Sequence, residues 1–303
     1  MQKIRIGTRG SRLALWQANY IEKLLRQTNS NIEFERIIIK TEGDRDQHSS
    51  LAQIGGQGVF TKAIEEALIK NRIDAAVHSL KDLPSVMPDG LILAAVPERG
   101  PAEDALVTKD GLSLNELAEG ASVATGSIRR CSQLLHLRPD LDIQDLRGNI
   151  ETRLNKLYQQ NLDGIIMARA ALYRLELDHV KYYSFNPEEM VPGVGQGAVG
   201  VQIRADDAAV NEVVRLISHQ ETFDAVTAER AFLNELDSGC QFPVGAYARV
   251  ENDRIKMIGF VGSDDGETIY REKTEGTVKE AEKLGRQLAQ SFIKQGAQEL
   301  LAN

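Results

Sequence analysis

Apolar residues recur along this chain in two alternating rhythms. Ile4–Gly7 reads as a short strand. From Ser11 onward Leu13, Trp16, Tyr20 and Leu24 repeat at the spacing of an amphipathic helix. Glu33–Lys40, with its run of isoleucines, is strand-like, Phe60–Lys70 is helical, and Ile73–His78 is again a strand. Strand and helix in turn predict a parallel-sheet α/β architecture.

Pro97, Gly100 and Pro101 interrupt the rhythm, which then resumes. The next segments are strand Ser122–Thr125, helix Ser127–Leu137, strand Asp142–Asp145, helix Ile150–Gln159 and strand Gly164–Met167. A second interruption at Pro192–Gly197 precedes a strand, Ala198–Arg204. Two interruptions flanking one block imply that the chain leaves a first domain and returns to it, giving two α/β lobes joined by paired hinges around a cleft. The final stretch opens with a helix from about Glu221, with Ala225, Ala228, Phe232 and Leu236 on one face. A loop, Asp237–Gly245, follows. Strands Ala246–Val250, Arg254–Val261 and Glu267–Glu272 and a helix Val278–Lys294 complete a small α+β unit. The expected domains are residues 1–98 with 198–217, residues 102–193, and residues 220–303.

A length of 303 residues, 42% hydrophobic and 26% charged, suffices for two or three such cores. The net charge of -8 argues against nucleic acid as a partner, so any anionic ligand must be met by local basic clusters. The apolar run Leu91–Val96 is too short to cross a bilayer, and Met1–Arg5 lacks a signal-peptide core. No membrane partner is expected, and the cytosol is the expected compartment. Cys131 and Cys240 lie far apart without metal-ligand spacing, so neither a metal site nor a disulfide is expected.

Gly193-Val194-Gly195-Gln196-Gly197-Ala198 spells a dinucleotide fingerprint, but a loop precedes a strand here, whereas the fingerprint needs a strand before a helix. A nicotinamide-dependent oxidoreductase fails on that order. Gly55-Gly56-Gln57-Gly58 lacks the ending of a phosphate-binding loop. Three helix starts carry basic and hydroxyl residues: Arg9 with Ser11, Thr125 and Ser127 with Arg129 and Arg130, and Arg147 and Asn149 with Arg153. Helix N-termini favour anions, and guanidinium forks bind carboxylates bidentately. Each arginine alone reads as solvated surface; three such sites point to a ligand with several carboxylates. Lys81-Asp82 follows a strand, where α/β sheets bind ligands, and reads equally as a ligand contact or a solvated pair. His78 reads as a structural histidine. Cys240, in a loop between Gly239 and Pro243, reads as an accessible thiol able to act as a nucleophile, whereas Cys131 reads as a helical core residue.

Taken in order, several segments resemble the porphobilinogen deaminase family over nearly the whole chain. They are Ile6-Gly7-Thr8-Arg9-Gly10-Ser11, Thr41-Glu42-Gly43-Asp44, His78-Ser79-Leu80-Lys81-Asp82-Leu83-Pro84, Thr125-Gly126-Ser127-Ile128-Arg129-Arg130, Leu146-Arg147-Gly148-Asn149, Gly195-Gln196-Gly197-Ala198 and Ser238-Gly239-Cys240. The resemblance implies two lobes similar to periplasmic binding proteins plus a small C-terminal domain. It also implies a dipyrromethane cofactor joined by a thioether to Cys240. Four porphobilinogen molecules would add head to tail with loss of ammonia, before water releases hydroxymethylbilane. The resemblance assigns Asp82 to catalysis. It assigns cofactor and substrate binding to Arg9, Ser11, Lys81, Thr125, Ser127, Arg129, Arg130, Arg147, Asn149, Arg153, Arg174 and Gln196. Gln53 and Gln57 stand where many members carry lysine, so no lysine-based role is expected of that loop. A monomeric transferase of tetrapyrrole biosynthesis is the expectation. A bilobal module that captures anions without chemistry is the rival, and it would need neither Asp82 nor Cys240.

Overall fold

The computed structural model describes residues 3–45, 58–236 and 242–300. The chain divides into two compact units, Met1–Gly100 with Gly197–Asp224, and Pro101–Gln196 with Ala225–Asn303. Strands β1 (Lys3–Thr8), β2 (Glu33–Ile38), β3 (Ala75–Ser79) and β4 (Leu91–Ala95) belong to one sheet. A second sheet holds β5 (Asp104–Val107), β6 (Ser122–Ala124), β7 (Asp142–Gln144), β8 (Gly164–Ala168) and β9 (Tyr182–Ser184). The chain then returns to the first sheet as β10 (Val199–Arg204), and β11 (Val244–Glu251), β12 (Arg254–Gly262) and β13 (Ile269–Thr277) form a third.

The two larger sheets repeat one plan, β2-β1-β3-β10-β4 and β7-β6-β8-β5-β9. Parallel pairing joins β1 to β2 and β3, and β6 to β7 and β8. The fourth strand of each sheet, β10 or β5, runs antiparallel to both neighbours. The sheets are therefore mixed, not parallel throughout as the alternation of elements predicts. The odd strand is in each case the first after an interruption. It enters its sheet from the other lobe rather than through a helical crossover, so nothing imposes a parallel direction on it. This reciprocal exchange gives the two periplasmic-binding-protein-like lobes, and the β11–β13 sheet with its helices is the small C-terminal domain.

In the first unit Ile4, Ile6, Val77, Val201 and Ile203 pack with Ile21, Leu25, Val210 and Val214, and Ala76 and Ile73 with Ile64 and Leu68. Helices thus cover both sheet faces. The first helix, Arg12–Thr28, buries Ala14, Gln17, Ala18, Ile21 and Leu25, a stripe turned about one residue from the predicted Leu13, Trp16, Tyr20 and Leu24. Small Ala14 and Ala18 let the helix approach the sheet closely. The larger residues flank the seam half-buried, with Trp16 and Tyr20 stacked at 5.4 Å. In the C-terminal domain the predicted face Ala225, Ala228, Phe232 and Leu236 is buried, and Phe232 meets Phe292 edge-on at 5.5 Å.

A buried polar chain crosses the first unit. Gln202 Nε2 donates to Glu65 Oε1 at 3.1 Å, Thr61 Oγ1 to Glu65 Oε2 at 3.4 Å, and His78 lies beside Gln202. Burial first, and the Arg9 charge second, pull His78 down to about 4. The folded protein therefore refuses a proton that the unfolded chain accepts near pH 6.5, so stability is lost as pH falls through that window. We expect a loss on the order of 1–2 kcal/mol between pH 6.5 and 5. The loss is read from urea midpoints and should be absent in His78→Gln; an unchanged slope in that variant would assign the loss to another group.

Candidate active site

Two sets of expected site residues form, one in each unit. In the first, β1 and β3 run parallel, so their carboxyl ends lie at one sheet edge. Chain leaving β1 carries Arg9 and then Ser11, the N-cap of helix Arg12–Thr28, whose Oγ accepts from Ala14 N at 3.3 Å. Ser11 therefore shapes the helix start, with its own O–H still available as a donor. Chain leaving β3 forms a 3-10 turn, Leu80–Asp82. Leu80, 1% exposed, donates its N–H to Ala198 O, and Leu83, 4% exposed, donates to Leu80 O at 3.1 Å. Two buried leucines anchor the turn, and Lys81 and Asp82 between them are respectively exposed and half-buried. Gln17, buried under this edge, donates from Nε2 to Ser79 Oγ at 2.7 Å. A glutamine on a predicted helix face gave no signal of that contact.

In the second unit, β6 ends at Thr125, whose Oγ1 accepts from Ser127 N at 3.2 Å ahead of the helix Ile128–Leu137. Gly126 permits a close approach here, since a Cβ would stand 2.5 Å from Leu146 O. The parallel neighbour β7 leads into Arg147 and Asn149. Asn149 Oδ1 accepts from Thr152 N at 2.9 Å and caps the helix Ile150–Gln159. Arg153 Nε donates to Gly148 O at 2.8 Å, and Arg147 Nε pairs with Asp145 at 3.3 Å. Arg174 is buried at the end of the helix Arg169–Arg174.

Arg129 and Arg130 turn inward. Arg129 Nη1 donates to Val191 O, and its Nη2 lies 2.8 Å from Asp104 Oδ2. Arg130 donates from Nε and Nη2 to Asp104 Oδ1 and from Nη1 to Ile166 O. Gln196 Nε2 donates to Asp104 Oδ1 at 2.9 Å and to Ala102 O at 2.7 Å. Burial would push the Asp104 carboxyl up, but Arg129, Arg130 and the Gln196 amide outweigh it and hold it at about 2. Asp104, 0% exposed, is thus the organiser of this cluster. The sequence reading missed it, because no local pattern marks an aspartate whose partners lie on a distant helix. Two guanidiniums on one carboxylate leave a surplus positive charge in the cluster, alongside Arg147 and Arg153 at the end of β7. Cys240, Gln53 and Gln57 lie outside the described residues.

Among the described residues no helix is long and apolar enough to cross a membrane. Residues 4–212 match the family model for the porphobilinogen deaminase dipyromethane cofactor binding domain, and residues 223–294 the model for the porphobilinogen deaminase C-terminal domain. A porphobilinogen deaminase of Campylobacter hominis is 46% identical over 303 residues, covering 99% of this chain and 98% of that protein. That of Syntrophotalea carbinolica is 45% identical over 299 residues, covering 99% and 95%. The solved methionine-binding protein MetQ superposes with a TM-score of 0.45 at 14% identity, over 75% of this chain and 93% of that one. Matched in both its parts by family models and end to end by relatives, the chain belongs to the porphobilinogen deaminase family.

Proposed function

We propose that this chain is a transferase that condenses four porphobilinogen molecules head to tail, each losing ammonia, and releases hydroxymethylbilane by hydrolysis. The dipyrromethane of its family is, in this reading, joined by a thioether to Cys240. When bound, it supplies the chain end to which pyrroles are added. The chain's residues fit such a group. Each pyrrole carries an acetate and a propionate, and the second lobe offers surplus positive charge at Arg129, Arg130 and Asp104 with Arg147 and Arg153 nearby in sequence. Thr125, Ser127, Asn149, Arg174 and Gln196 are proposed to complete carboxylate binding there, and Arg9, Ser11 and Lys81 in the first lobe.

The observation that carries the reading is the anchored turn Leu80–Asp82, which holds a carboxylate at the carboxyl end of a parallel strand. Loss of ammonia from porphobilinogen leaves a pyrrole methylene cation. A fixed Asp82 carboxylate stabilises that charge and accepts from pyrrole N–H groups, the electrostatic logic of an oxyanion hole with the sign inverted. The arginines bind and orient the side-chain carboxylates through paired N–H groups. The three-domain division at residues 98, 102, 193 and 220 belongs to this proposal, as do a cytoplasmic location and a monomeric state. The anion-binding module without chemistry is not favoured.

The test is incubation of the purified protein with porphobilinogen. We expect ammonia and hydroxymethylbilane to appear in a ratio of about four to one, the stoichiometry of the condensation itself. Binding of porphobilinogen without ammonia release would return the protein to the binding-module reading.

A further inference from the structure

The segment Thr41-Glu42-Gly43-Asp44 has no part in the function as set out above, yet the structure brings it against the site. The Phe60 ring carries the Arg9 guanidinium over its face, with Cζ 4.1 Å from the ring centroid. Gly43 lies along the edge of the same ring. A Cβ there would stand 2.6 Å from Phe60 Cδ1 and 2.9 Å from Cζ, and closer still to Cε1. These are contacts that real side chains do not make. The glycine is required by this close approach, since a methyl group would displace the ring. Gly43 is in turn tied to the chain before Phe60, its N–H donating to Val59 O at 3.3 Å, and Thr41 is fully buried. The support under Arg9 is therefore built from two segments distant in sequence.

A ring differs from a carboxylate as a support for an arginine. Arg5 is held by Asp74 at 2.7 Å, and Arg130 by Asp104 at 2.7 Å, and in each case the partner offsets the cation's charge. An aromatic face attracts a guanidinium through its quadrupole and supplies neither a negative charge nor an acceptor atom. The planar N–H fork that grips a carboxylate keeps both its charge and its donor geometry. Burial of His78 beside Arg9 fits the same picture, because a neutral imidazole also adds no opposing charge.

We propose that Phe60, seated by Gly43, is a positioning residue that orients Arg9 for the carboxylates of porphobilinogen and the growing chain. The inference rests on the reading of Arg9 as a carboxylate contact. Phe60 acts through Arg9 and touches no reacting atom in this scheme, so its loss appears in substrate affinity and spares the chemical step.

The experiment is a double-mutant cycle on the primer-loaded full-length protein, with intact mass reporting the loaded fraction and a melting curve reporting folding for each variant. Phe60→Leu keeps apolar bulk and removes the aromatic face. We expect its kcat/KM for porphobilinogen to fall about threefold to tenfold through KM, the range a cation–π contact covers. Phe60→Tyr, which retains the face, should recover wild-type KM. Gly43→Ala should reproduce the Phe60→Leu loss although both Arg9 and Phe60 remain. In an Arg9→Gln background Phe60→Leu should add nothing. Should Phe60→Leu retain wild-type KM, or cost the same factor with Arg9 removed, the positioning role is overturned while Arg9 keeps its own. An Arg9→Gln protein with unchanged KM would remove the carboxylate reading of Arg9 itself, and the positioning role with it.

Discussion

Replacement of Cys240 by alanine abolishes turnover of porphobilinogen, because the protein loses the attachment point of its primer. Two cysteines are present, and the alternative, Cys131, is unsuited to the task. It lies within the helix Ile128–Leu137, and burial, with the nearby Asp264 carboxylate, pushes its thiol up from the ordinary range. The thiolate is the reactive species, so a raised pKa in a half-buried helix disfavours covalent chemistry there. Cys240 lies in the segment between the helix Gln220–Glu235 and β11, with Gly239 and Pro243 beside it. Intact mass of the wild-type protein should exceed the sequence mass by a two-pyrrole adduct, and peptide mapping should place that adduct on Cys240 and none on Cys131. The Cys240→Ala protein should carry no adduct and should melt at a lower temperature, as loss of a group bound to the native state implies. An active, unmodified Cys240→Ala protein would defeat the assignment.

What the sequence made legible is what periodicity records. The alternation of strand and helix gave the lobes, and the interruptions at Pro97–Pro101 and Pro192–Gly197 located the crossings, since β10 does return to the first sheet. Strands β5 and β9 escaped notice because four and three residues are too few for a pattern to emerge. The direction of β5 and β10 is set by which lobe the chain comes from, and no local pattern encodes that. At the first helix the eye follows large apolar residues, whereas the seam is lined by alanines and a buried glutamine, which moved the true stripe by one position.

The site divides in the same way. Basic residues at helix starts were readable, because capping chemistry and anion binding use overlapping residue types. The same overlap hid the structural work of Ser11 and Asn149, which cap their own helices. Asp104, Gln17 and Phe60 were beyond reach. Each acts on a partner brought close only by the tertiary fold, at separations of 26 residues for Asp104 and Arg130 and 62 for Gln17 and Ser79. A buried carboxylate must find its counter-charges, but the sequence does not say where.

Asp82→Asn should cost catalysis far more than stability. Leu80 and Leu83 anchor the turn by burial, and the turn's hydrogen bonds run through main-chain atoms, from Leu80 N to Ala198 O and from Leu83 N to Leu80 O. The half-buried Asp82 side chain is therefore not what holds this segment in place. Asparagine keeps the size and one acceptor oxygen but removes the negative charge that stabilises the cation left by departing ammonia. Deletion of a single oxyanion-hole donor, the sign-inverted counterpart, costs about 10²–10³ in rate, and we expect at least that for deamination. Asp82→Glu restores the charge a methylene further out, so it should exceed Asn in activity and remain impaired, because a displacement of about 1 Å in a catalytic group is itself costly. Melting temperatures of both primer-loaded variants should stay close to wild type. Single-turnover deamination measured beside a melting curve separates the two effects. An Asp82→Asn protein that turns over like wild type, or that fails only because it has unfolded, would remove Asp82 from the chemistry and leave the turn as scaffold.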